Sequence, residues 1–240
     1  PRRRLLPGAH SKCNHMIEDL TNIPKLPAVF GPARQVAYVV EDIDVAMAQW
    51  HEAHGVGPFL VARNAVPLSN AYYRGQRAEK ATVHLGFAYV GDMQLELIQL
   101  VGDTPSLYKE ALDRGDRGVN HYAVCVEDFP VAYNWALDHG FSAVVDAGVD
   151  GLARMSYVEQ VVSDRRLILE VIEWNALTKP YFNGLEQRVR ALDPDQRVHE
   201  FKLEELTPRL AVLSQLAKFS LKKLFGGVPQ TRREAGVRAQ

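Results

Sequence analysis

The chain repeats itself. Residues 35–46, QVAYVVEDIDVA, and 121–132, HYAVCVEDFPVA, share Ala37/Ala123, Val40/Val126, Glu41/Glu127, Asp42/Asp128, Val45/Val131 and Ala46/Ala132 at an offset of 86. In each copy a β-rich run leads to Glu-Asp and then to a helical stretch ending in His-Gly, at His54-Gly55 and His139-Gly140. The acidic pair suits a helix start, where free N–H groups and the dipole favour a carboxylate. The glycine suits a helix end. Downstream, MQLELI (93–98) resembles LILEVI (167–172), with Leu95-Glu96 matching Leu169-Glu170 at an offset of 74. Each of these strands follows another, Ala81–Val90 or Met155–Val162, across a turn at Gly91-Asp92 or Ser163-Asp164. Residues 34–100 and 117–175 therefore read as two β-α-β-β-β modules, an α+β architecture.

The flanks differ from this core. Residues 1–33, with prolines at 1, 7, 24, 27 and 32, read as an N-terminal arm, and 176–240 as a helical, basic C-terminal extension. Both ends are basic: Arg2, Arg3, Arg4 and Lys12 at one, seven Lys and Arg against Glu234 over 207–240 at the other. The formal net charge of −1 leaves the middle acidic, which argues against nucleic acid as a partner of the core. Two cysteines make neither a disulfide framework nor a zinc motif, and imply a reducing, cytoplasmic setting. In 208–225, Leu210, Leu213, Ala217, Leu221 and Leu224 form an apolar stripe, with Lys218, Lys222 and Lys223 near its end. Such a helix packs on the domain or across a dimer; the other reading is weak contact with an anionic membrane surface.

Four positions carry the chemistry. The opening strand begins with Gln35 in one copy and His121 in the other, and the last strand carries Glu96 in one and Glu170 in the other. Singly, each has an ordinary structural explanation. Together, repeat-related carboxylates inside apolar strands need partners, and a pseudo-twofold pairing of the copies lets all four side chains converge. Glutamine oxygen, imidazole nitrogen and two carboxylates suit a hard or borderline divalent cation.

These segments resemble the vicinal oxygen chelate superfamily, which includes glyoxalase I, methylmalonyl-CoA epimerase, bleomycin resistance proteins and extradiol dioxygenases. QVAYVVEDIDVAMAQW and GVNHYAVCVEDFPVA resemble its two opening strand–helix units, and MQLELIQL and RRLILEVIE its ligand-bearing strands. The resemblance implies a cupped, eight-stranded mixed sheet around one divalent metal (zinc, nickel, cobalt or manganese) held by Gln35, Glu96, His121 and Glu170. It implies an isomerase, epimerase or lyase of the glyoxalase type, moving a proton alpha to a carbonyl through a metal-stabilised enediolate. Glu170 is the first choice for base and Glu96 the second. A single histidine among the four disfavours an extradiol dioxygenase. A metal-free binding or resistance protein is the alternative.

The substrate is a small molecule of undetermined identity. His84 is expected to face the cup as a substrate-side or relay residue, because it has the parity of Glu96 across the hairpin. Tyr73, Arg74 and Arg77 are candidates for clamping an anionic substrate group, with a solvated loop as the competing explanation. The apolar and aromatic segment 56–80 reads as an insertion lining a pocket for an acyl thioester or ring compound. Open sheet edges lead to an expected homodimer.

Overall fold

The structure is a computed structural model that describes residues 25–67, 71–149, 153–163 and 165–206. The first copy comprises β1 (Ala33–Val39), α1 (Ile43–His54), β2 (Phe59–Ala65), a short hairpin of β3 (Tyr72–Tyr73) and β4 (Gln76–Arg77), β5 (Thr82–Val90) and β6 (Met93–Val101). A linking helix, α2 (Leu107–Arg114), precedes β7 (His121–Val126), α3 (Phe129–Asp138), β8 (Ser142–Val149), β9 (Ala153–Val162) and β10 (Arg165–Glu173). Then come α4 (Thr178–Arg190) and β11 (Val198–Phe201). The stretch 208–225 lies outside the described residues.

The caps form where the sequence places them. The Asp42 carboxylate accepts from the backbone N–H groups of Asp44 and Val45 at 2.9 and 3.0 Å. Asp128 accepts from Val131 N–H at 3.1 Å. Gly55 ends α1 in the left-handed region at φ 68°, a conformation that glycine adopts without a Cβ clash.

Within each copy the first and last strands run parallel, β1 with β6 and β7 with β10. The copies join along the antiparallel pair β1–β7, with Ala37 opposite His121. Among the described residues the sheet has eleven strands rather than eight, ordered β11-β2-β5-β6-β1-β7-β10-β9-β8-β3-β4. The eight strands of the two modules form its centre, and the additions cover the two ends. β11 pairs parallel to β2, and β3 pairs antiparallel to β8, with Tyr72 opposite Asp146. The module edges β2 and β8 thus both have partners, and β11 and β4 end the sheet instead.

The hairpin also forces curvature. Ala65 at the end of β2 and Tyr72 at the start of β3 are joined by a stretch that spans at most about 26 Å. Eight inter-strand steps separate β2 from β3 in the strand order, about 38 Å in a flat sheet. The sheet must therefore curl until its ends approach.

Outside the curl, α1 buries Ile43, Ala46, Met47 and Trp50 on the sheet. Gly86 of β5 allows the close approach, since a Cβ there would lie 3.3 Å from Ile43 Cδ1. Phe30, from the arm, is buried edge-on to Trp135 at 5.5 Å and Phe141 at 6.4 Å between ring centroids. Inside, one apolar cluster joins Val83, Leu85 and Ile98 of β5 and β6 to Val144 and Val145 of β8, to Leu107 and Tyr108 of α2, and to Leu185 and Val189 of α4. Two helices thus cover the inner face.

Candidate functional site

Alternation along the strands sends Val36, Tyr38, Tyr122, Val124, Leu169 and Val171 to the outer core. The intervening Gln35, His121 and Glu170 turn inward, as does Glu96 between Leu95 and Leu97; all four are buried. His121 Nε2 lies 3.5 Å from Glu170 Oε2 and 3.8 Å from Glu96 Oε2. On its other side, His121 Nδ1 is 3.0 Å from Asn120 Oδ1. An amide oxygen only accepts, so Nδ1 donates to it and Nε2 is the nitrogen turned toward the carboxylates. That nitrogen is buried with no hydrogen-bond partner. Two buried carboxylates this close to one another call for compensating positive charge or a shared proton.

Gln35 is held differently. Its Nε2 donates to Gln94 Oε1 at 2.6 Å, and Gln94 Nε2 donates to Tyr89 Oη at 2.7 Å. The Gln35 Oε1 is left buried and unpartnered. Gln35 stands beside Ala123, which stands beside Glu170 across the next strand. Ala37 separates His121 from Glu96 in the same way, so the four positions keep the symmetry of the repeat, with Glu96 and Glu170 both within 4 Å of His121. Gln35 lines a cleft with Arg34, Cys125, Trp174 and Glu186.

The two glutamates differ in their surroundings. Tyr157 Oη donates to Glu170 Oε1 at 2.8 Å, and the Tyr157 ring meets the His121 ring edge-on at 5.0 Å. Glu96 accepts no hydrogen bond from any described residue, and Phe87 stands opposite it. Burial, and then the charge of Glu170, push the Glu96 carboxyl well above the usual carboxylate range. Burial first, then the charges of the two glutamates, raise the phenols of Tyr108 and Tyr181, and burial followed chiefly by Glu170 raises that of Tyr157. Neutral phenols thus surround the carboxylates.

The other expected site residues lie elsewhere. His84 faces away from the cup. The Gly91-Asp92 turn pairs Val90 with Met93, which sets His84 opposite Gln99, whereas Glu96 stands opposite Phe87. Two positions facing each other across this turn have opposite parity, so sharing parity with Glu96 places His84 on the other face. There its Nδ1 accepts from Asn64 N–H at 3.0 Å. Arg74 is engaged by protein carboxylates: its Nε and Nη2 donate to Glu110 at 2.6 and 2.8 Å, and its Nη1 to Glu159 at 3.0 Å. Tyr73 Oη also donates to Glu110, and Arg77 is exposed on β4. The segment is a hairpin brace rather than a solvated loop or an anion clamp. Segment 56–80 is not all insertion, because Phe59–Ala65 is the second module strand. Below the hairpin, Ala71, Tyr73, Ala78, Leu107 and Tyr108 line an apolar pocket.

Tyr157, Tyr108 and Asn120 were not among the sequence candidates. Tyr157 was accessible to the same logic as the glutamates, since the turn after Val162 fixes which residue stands opposite Glu170. No sequence signal marks Asn120.

Among the described residues, no group of three or more His, Cys, Asp and Glu side chains is disposed to hold a metal ion. The donor types fit a divalent cation nevertheless: an imidazole nitrogen and an amide oxygen, both buried and unpartnered, and two buried carboxylates. Asn120 fixes the imidazole from behind, as outer-shell partners of metal-bound histidines do.

The fold is thus a curled sheet of two β-α-β-β-β copies with inward carboxylates. Residues 34–158 match the family model described as the Glyoxalase/Bleomycin resistance protein/Dioxygenase superfamily, and the chain belongs to that superfamily. Similar solved structures include methylmalonyl-CoA epimerase from Mycobacterium tuberculosis, at 15% identity and TM-score 0.41, covering 65% of this chain and 95% of that one. Another is a hypothetical protein from Bacillus halodurans, at 13% identity and TM-score 0.42, covering 60% of this chain and 94% of that one. A mutant of 4-hydroxymandelate synthase from Streptomyces coelicolor aligns at 17% identity and TM-score 0.40, covering 62% of this chain and 52% of that one. None of the curated proteins matches. Among the described residues, no helix is long and apolar enough to cross a membrane.

Proposed function

We propose that the protein is a metal-dependent isomerase, epimerase or lyase that moves a proton on a carbon next to a carbonyl. The observation that supports it best is the buried Nε2 of His121, unpartnered and facing Glu96 and Glu170 at 3.8 and 3.5 Å. His121, Glu96 and Glu170 would hold the ion, with Gln35 Oε1 as a fourth donor. A bound divalent cation supplies Lewis-acid polarisation of an oxygen. The chain's own groups supply the rest. A glutamate oxygen takes the proton from carbon and returns it. The phenols of Tyr108, Tyr157 and Tyr181 and the helices α2 and α4 keep water from that carboxylate, which strengthens every local charge interaction.

A metal-free binding protein is the second reading. A neutral Glu96, which its raised pKa favours, removes one of the two negative charges without any cation. Metal analysis of protein purified without chelator separates the two. The first reading expects about one equivalent of metal in the wild type, loss of it in the Glu96→Gln/Glu170→Gln double variant, and solvent deuterium uptake at the alpha carbon within a panel of 2-oxo acids and acyl thioesters. Full metal retention in the double variant refutes the assignment.

A further inference from the structure

The repeat makes Glu96 and Glu170 equivalent, and the residue opposite each across its hairpin breaks that equivalence. Opposite Glu170 stands Tyr157; opposite Glu96 stands Phe87. The two positions correspond in the copies and differ by a single hydroxyl. That hydroxyl donates to Glu170 Oε1 at 2.8 Å. Phe87 has nothing to donate, and its ring packs edge-on to Phe201 of β11 at 6.4 Å. Tyr157 is itself immobilised: it is buried, and its ring rests edge-on against His121 at 5.0 Å. A hydrogen bond from a packed phenol fixes a carboxylate's rotamer and one of its oxygens. A carboxylate facing a phenyl ring has no such restraint. The ion-pair partner of Glu96 is His121 Nε2, at 3.8 Å.

We propose that Tyr157 is a positioning residue that divides the work between the two glutamates: it anchors Glu170, and leaves Glu96, opposite Phe87, as the carboxylate free to turn toward a substrate and carry the proton. This rests on the proton-transfer reading of the site, and it reverses the order in which the sequence ranks the two glutamates. It requires no change at Oε2 of Glu170, because Tyr157 holds Oε1 while Oε2 faces His121.

The test uses the full chain labelled with 13C at glutamate Cδ, with the two resonances assigned from Glu96→Gln and Glu170→Gln. In metal-free protein, Tyr157→Phe should move the Glu170 resonance and leave that of Glu96 in place. Phe87→Tyr should move Glu96 and leave Glu170. A general loosening of the fold would move both, so coincident shifts overturn the proposal, as does an unmoved Glu170 in Tyr157→Phe. Should Tyr157→Phe fail to fold, Phe87→Tyr alone decides: an unmoved Glu96 refutes the division. Mn2+ titration gives a second readout. Tyr157→Phe should weaken Mn2+ binding about tenfold to a hundredfold, and adding Phe87→Tyr should recover most of it by anchoring the other glutamate. Unchanged Mn2+ affinity in Tyr157→Phe counts against the proposal. If the wild type takes up no Mn2+, the metal reading fails, and the carbon shifts still decide the role of Tyr157.

Discussion

Glu110 ties three parts of the molecule together, and replacing it with glutamine should release the hairpin. It sits on α2 and receives Arg74 and Tyr73 from the hairpin; Arg74 also reaches Glu159 of β9, and Arg166 of β10 binds Glu159 at 2.7 Å. These contacts, the Arg74 hydrogen bonds first, hold the Glu110 carboxyl at about 2, against an ordinary value of 4.5. Taken at face value that shift corresponds to about 3 kcal/mol. The side chain is 28% exposed and Arg74 is 40% exposed, so screening reduces the expected effect to about 1–2 kcal/mol. For a chain of this length that lowers Tm by about 2–8 °C. The sign follows from linkage. A depressed carboxyl contributes stability above its unfolded value and loses it as pH falls from about 4.5 toward 2. Thermal melts from pH 7 to pH 2 should therefore show wild type and Glu110→Gln converging below pH 4.5. Limited trypsin digestion at pH 7 should cut Glu110→Gln faster at Arg74 or Arg77. Melting curves that stay parallel down to pH 2, with equal digestion rates, would refute the brace.

Phe30→Ala should cost about 3–5 kcal/mol, measured by urea unfolding, because it empties a buried aromatic site against Trp135 and Phe141. A loss under 1 kcal/mol would mean that the arm is not part of the core. Gly148→Ala should destabilise by more than about 2 kcal/mol, since φ is 153° and a Cβ would lie 2.2 Å from Ala153 O; a wild-type Tm would contradict this. Cys125 has a thiol pushed up to about 12, by burial first, so iodoacetamide at pH 8 should alkylate it more than about a hundredfold slower than a free thiol. Labelling at the free-thiol rate in folded protein would show the inner face open at that point.

The modules were legible because a repeat compares the chain with itself. Two occurrences of Glu-Asp at a helix start, and two apolar strands interrupted by one glutamate, are hard to explain by local propensity alone. The same comparison located Gln35, Glu96, His121 and Glu170, all of which prove buried and inward. What stayed hidden depends on pairing. His84 was misplaced by one unit of register, which in a strand exchanges the two faces. The second strand of the first copy, Phe59–Ala65, has no strand signature in the sequence because FLVARNA does not alternate. The partners of Arg74 could not be foreseen, since Glu110 and Glu159 come from elements 36 and 85 residues away. The coverage of the inner face by α4 likewise depends on tertiary packing that no local pattern announces.

The crossing of β3 to the far end of the sheet also bears on how such a chain reaches its fold. A tandem of two modules can fold as two units in succession, each complete before the next is made. Here the second module's outer strand, β8, takes its neighbour from the first copy, with Tyr72 pairing Asp146 across 74 positions of chain. In the same way β2 takes its neighbour from beyond the second module, with Phe59 pairing Val198. The first copy finishes the second's edge, and the stretch after the second finishes the first's. A nascent chain released after the first module carries an exposed β2 and an unpaired hairpin, and neither is satisfied until later residues have emerged. Contacts of such separation slow folding and prolong exposure of sticky edges. The halves descend from one pattern, yet they are no longer separable pieces, and a cut between them should yield two fragments that need each other in order to fold.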